Sequence, residues 1–70
     1  MFTLRNVASA GIKLQRALEC GGTDPVSGIA FEEVRDYLES ITDDIETPGL
    51  VQLDASWTLR RFGFDAKSIV

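Results

Sequence analysis

Phe31, Val34, Leu38, Ile41 and Ile45 recur at intervals of three, four, three and four residues. An α-helix brings such a series onto one face, because its turn returns the chain to the same side every third or fourth position. The seam predicts a helix over residues 28–45, with Tyr37 beside it. Ser27 is the expected N-cap and Asp24 a weaker one. Glu32 and Glu33 fall in the first turn, where carboxylates complement the helix dipole. Asp43, Asp44 and Glu46 stand at the opposite end, where negative charge is unfavourable, so that end frays or meets a positive surface.

The chain on either side has to cover this seam. Leu4, Val7, Gly11, Leu14 and Leu18, widened by Ala8 and Ile12, predict an amphipathic helix from Thr3 to Cys20. Arg5, Ser9, Lys13 and Arg16 fall on its other side, and Gly21-Gly22 supplies the stop. After the break at Thr47-Pro48-Gly49, a third helix is favoured, with Thr47 as cap and Pro48 at the first helical position. Leu50, Leu53 and Trp57 would line one face, and Val51, Ala55, Leu59 and Phe62 a neighbouring stripe. A start at Asp54 is the other reading of its N-terminus. Phe62-Gly63-Phe64 matches a glycine C-cap followed by an apolar residue that folds back on the last turn. Asp65 would cap a short turn through Ala66 to Val70. The expected class is all-α: one compact three-helix domain over residues 1–70 with a short C-terminal turn. The alternative is α+β, with two helices and a C-terminal β-hairpin pairing Leu50–Leu53 with Trp57–Phe62.

Seventy residues lie near the lower limit for a self-sufficient core. A lone cysteine, Cys20, makes no internal disulfide, and a chain without histidine has no conventional zinc site. A single thiol suits a cytoplasmic location. Cys20 is expected to be a small, partly buried residue, unreactive at a helix C-terminus that raises a thiol's pKa. No apolar run approaches the length of a membrane span. Met1 to Leu18, with three bases and no acid, also fits the pattern of a mitochondrial transit peptide. We read it as the first helix of the domain.

The net charge of −4 is unevenly placed. Residues 1–18 carry Arg5, Lys13 and Arg16 and no acid, residues 19–54 carry ten acids and Arg35, and residues 55–70 carry Arg60, Arg61 and Lys67 against Asp65. Basic and acidic helices of this kind can pair as an antiparallel hairpin.

Without histidine, Ser-His and Cys-His nucleophile pairs are impossible within one chain. Gly21-Gly22 lacks the tail of a phosphate loop. Asp43, Asp44 and Glu46 are the densest carboxylate cluster, but they lack calcium-loop spacing. A short acidic domain with a serine opening its second helix resembles the phosphopantetheine carrier proteins. Ser27 follows Val26, however, and the Asp-Ser-Leu/Ile core of that motif is missing. The chain is therefore expected not to be an enzyme and to use no cofactor and no metal.

The expected function is protein–protein interaction, as a small acidic regulator, adaptor or inhibitor of phage-like style. Glu32, Glu33, Asp36, Glu39, Asp43 and Asp44 form the face expected to dock a basic partner, or to occupy a nucleic-acid site by charge mimicry. Trp57, Arg60, Arg61, Phe62 and Phe64 are either core, with the arginines paired to the acids of helix 2, or a second contact. A homodimer follows if one chain cannot cover its own seam. The competing reading is a DNA-binding helix-turn-helix presenting Ser56, Thr58, Arg60 and Arg61. The acidic second helix argues against nucleic acid, whose phosphates it repels.

Overall fold

Three α-helices follow one another in the computed structural model, which describes residues 1–65: α1 (Leu4–Glu19), α2 (Phe31–Asp43) and α3 (Gly49–Arg61). Each packs on the other two. The segment in which a β-hairpin competed is helical, and the domain is all-α. The short turn expected from Asp65 to Val70 lies, beyond Asp65 itself, outside the described residues.

Thr3 starts α1 through a capping box. Its hydroxyl accepts the Asn6 N–H while the Asn6 side chain accepts the Thr3 N–H, so two orphan donors are satisfied. Gly21, at φ +82°, takes the left-handed conformation that ends the helix, and the Gly22 N–H closes back on the Ala17 carbonyl. The buried face is Val7, Ala10, Gly11, Leu14 and Ala17. Val7, Gly11 and Leu14 are buried as the expected stripe requires, whereas its other members Leu4, Ala8, Ile12 and Leu18 are exposed. Burial has rotated toward the alanines because small side chains let neighbouring helices come close, and close packing decides which face turns inward.

Helix α2 is shorter than the predicted 28–45. Gly28, at φ +75°, and an isolated bridge between Thr23 and Ala30 hold residues 28–30 outside the helix. Ala30 occupies the N-cap with no side-chain bond, so neither Ser27 nor Asp24 caps the helix. At the other end Asp44 is extended, and its carboxylate accepts from the Glu46 N–H and the Thr47 hydroxyl. Val34, Leu38 and Ile41 are buried as the seam requires, but Ile45 lies beyond the helix and is 94% exposed.

Helix α3 begins one residue later than expected. Pro48 is the N-cap, and the Thr47 hydroxyl instead accepts the Phe2 N–H, tying the N-terminus to the α2–α3 turn. Val51, Ala55 and Leu59 join the core, while Leu50 and Trp57 stay outside it. The C-cap forms as expected: Gly63 has φ +88°, its N–H reaches the Arg60 carbonyl, and the Phe64 N–H reaches that of Leu59. Phe64 then stacks on Phe31 with ring centroids 6.1 Å apart, which joins the end of α3 to the start of α2.

Gly11 lies where α1 crosses α3. A methyl group added there would meet the Arg61 Nη2 and the Thr58 Cγ2 at 3.6 Å, an ordinary contact. Gly11→Ala should therefore stabilise the fold by about 0.5–1 kcal/mol, the cost of a glycine inside a helix. Urea unfolding checks this; a loss of stability would mean that the two helices leave no room for the methyl group.

Candidate functional site

The acids of the second helix divide by position. Glu32, Asp36, Glu39 and Asp43 are spaced four, three and four residues apart on one exposed stripe of α2. Along the axis they span about 16 Å at 1.5 Å per residue. Arg35 bonds Asp36 at 3.2 Å and also lies 6.0 Å from the Phe64 ring centre. Glu33 is exposed but points another way: with Val34 and Tyr37 it lines one wall of a cleft of ≈ 380 Å³ between α1 and α2, opposite Asn6, Ser9 and Lys13. Lys13 and Glu33 thus face the same space.

Asp44 does not belong to the outward set. It is half-buried, and the Thr47 hydroxyl, at 2.6 Å, is the main reason its carboxyl titrates below the usual range, with the Glu46 N–H helping against the effect of burial. The N-terminal amine lies 3.9 Å away. This carboxylate closes the α2–α3 turn, so Asp44 lies apart from the outward stripe with which the sequence groups it.

A polar lock that the spacing of apolar residues does not signal lies in the α1–α2 loop. Asp24 is fully buried, and Arg16 grips its two carboxylate oxygens at 2.8 and 3.0 Å. The Ser27 hydroxyl donates to it at 2.6 Å, and the N–H groups of Val26 and Ser27 complete the set. The Arg16 guanidinium, aided by Ser27 and Val26, outweighs burial and holds the Asp24 carboxyl far below the usual range. Ser27 is thereby committed to the loop and lies four residues ahead of α2, which removes the resemblance to a carrier-protein serine. The available signal was Asp24-Pro25 as a turn former followed by a serine. Arg16, on the side of α1 opposite the expected apolar stripe, carries no comparable local signal.

On α3, Trp57 is 59% exposed and Leu50 77% exposed, so of the two readings of the aromatic–basic segment the core one does not hold for Trp57. One of two apolar stripes faces inward in a three-helix domain, and Val51-Ala55-Leu59 is the narrower and fits against the other helices. Arg61 lies over the Phe62 ring at 5.3 Å, rather than against the acids of α2, and Arg60 is exposed. Phe62 and Phe64 pack partly buried against the core. Asp54, Thr58 and Arg61 form one wall of a second cleft, of ≈ 300 Å³, with Ala8, Ile12 and Gln15 on the α1 side.

For a helix-turn-helix, the outer face of α3 would be the reading surface. Ser56 and Thr58 are buried there, leaving two arginines among Leu50, Trp57 and Asp54. Cys20, expected to be partly buried, is exposed at the C-cap of α1. Among the described residues no three acids, histidines or cysteines are gathered to hold a metal ion, and no helix is long and apolar enough to cross a membrane. Known family models, curated proteins and solved structures offer no match to this chain.

Proposed function

We propose that this domain is a non-catalytic protein-binding module, acting as a regulator or adaptor that docks the basic surface of a partner protein on the outer stripe of α2. The observation that carries this reading is the run of exposed carboxylates at Glu32, Asp36, Glu39 and Asp43. Like charges on one helix face repel at four-residue spacing, which is unfavourable for the isolated helix and is offset at Asp36 by Arg35. A cationic partner relieves that repulsion and is steered toward it at long range. Glu33 extends the acidic surface toward the α1–α2 cleft. Nucleic acid is disfavoured, since the stripe repels phosphate.

The test is affinity capture from the source cell with the wild type and the E32K/D36K variant side by side, followed by titration of the captured protein. A basic partner whose affinity falls at least about ten-fold in the variant, and falls as salt rises, is the expected result. A partner that binds both forms equally removes the acidic stripe from the proposal. Both substitutions are on the exposed surface, so the thermal midpoint should move little.

A further inference from the structure

We propose that a second copy of this chain docks on the outer face of α3, antiparallel and two-fold symmetric, with Trp57 at the axis. The face is the series Leu50, Asp54, Trp57 and Arg61, spaced four, three and four residues apart on one side of the helix. Its apolar members are exposed although a 70-residue chain has little core to spare, and Trp57 is the single tryptophan. Across the adjoining cleft, Ile12 is 56% exposed, and Ala8 and Leu4 continue the apolar surface one and two turns toward the start of α1.

The charges identify the occupant. Asp54 and Arg61 are seven residues apart, about 10 Å along the helix, and neither makes an ion pair among the described residues. The acid lies one turn before Trp57 and the base one turn after it. A two-fold axis passing between positions 57 and 58 therefore sets Asp54 against the partner's Arg61, and Arg61 against the partner's Asp54. Trp57 meets the partner's Trp57 between the two ion pairs. A surface of one sign would satisfy one of these charges and oppose the other. The same face turned through 180° satisfies both, the self-complementarity that an isologous interface requires. Trp and Arg are also the residues most enriched at the energetic centres of interfaces.

Sedimentation equilibrium from about 1 µM to about 1 mM reads the association directly. Trp57 is the sole tryptophan, so its emission reports on this face alone: it should shift to the blue as concentration rises and the dimer forms. D54R and R61D should each weaken the dimer at least about ten-fold by setting like charges opposite one another, and the D54R/R61D double variant should restore it to within about three-fold. Trp57→Ala should weaken it about thirty-fold or more with helical circular dichroism unchanged, because the side chain lies outside the core. A constant monomer mass with red emission up to about 1 mM overturns the proposal and leaves the face to a different protein. A dimer that survives both single reversals, or is not restored by the double one, overturns the antiparallel α3 arrangement. These substitutions leave the α2 stripe intact, so partner capture by the dimer-deficient variants tests the two surfaces separately.

Discussion

Leu38→Ala should destabilise the domain by about 2–5 kcal/mol, the cost of emptying a buried leucine site in a core that relaxes only in part. Leu38 is fully buried in the core cluster to which all three helices contribute, so its removal opens a void there. At roughly 0.05–0.15 kcal/mol per residue, a domain of 70 residues has about 3.5–10 kcal/mol in all. The substitution therefore removes about half of the folding free energy, and the thermal midpoint should fall by about 10–30 °C. Ile45→Ala is the control. Ile45 continues the same sequence series as Leu38 but lies beyond α2 in solvent, so its loss should change stability by less than about 0.5 kcal/mol. Thermal and urea unfolding of the two variants decide the matter, and equal losses would mean that α2 runs on through Ile45.

Asp24→Asn should lower the thermal midpoint by roughly 10 °C and loosen the loop between α1 and α2. The carboxylate accepts from Arg16, the Ser27 hydroxyl and two backbone N–H groups, and an amide can satisfy only part of that set. Arg16→Met should be at least as damaging, because it leaves a fully buried carboxylate without its cation. Titration gives the lock a pH signature. The folded-state pKa of Asp24 is depressed below its unfolded value, so its contribution is fully present above the ordinary carboxylate range and is lost as pH falls through that range toward the folded-state value. Asp44 titrates in the same direction, through Thr47 and Glu46. Wild-type stability should thus decline from about pH 5 downward, and Asp24→Asn should flatten much of that slope while leaving the share of Asp44. Unfolding midpoints measured from pH 2 to pH 7 test this. A slope equal in both proteins would assign the acid sensitivity elsewhere.

Periodicity and punctuation carry the part of the fold that is local. Three helices, the glycine ends of α1 and α3 and the buried triad Val34-Leu38-Ile41 follow from local rules, because a helix face and a left-handed cap are properties of a few neighbouring residues. The outward acids Glu32, Asp36, Glu39 and Asp43 follow in turn, since a helix with its seam inside has one way to face.

Tertiary packing decided the remainder. Leu50-Trp57 and Val51-Ala55-Leu59 are both apolar series of helical spacing, and no local rule ranks them. The choice rests on which stripe is narrow enough to lie against α1 and α2, and it puts the one tryptophan outside. Ala10 and Ala17 displaced Leu4 and Leu18 from the core for the same reason. Arg16 and Asp24 show the same limit in polar form. They are eight residues apart on a helix and a loop, and their charges meet only because the chain reverses at Gly21 and Gly22. A sequence carries the periodicity of each element, whereas the pairing of faces and the closing of buried charges depend on distances that exist only after the elements have docked.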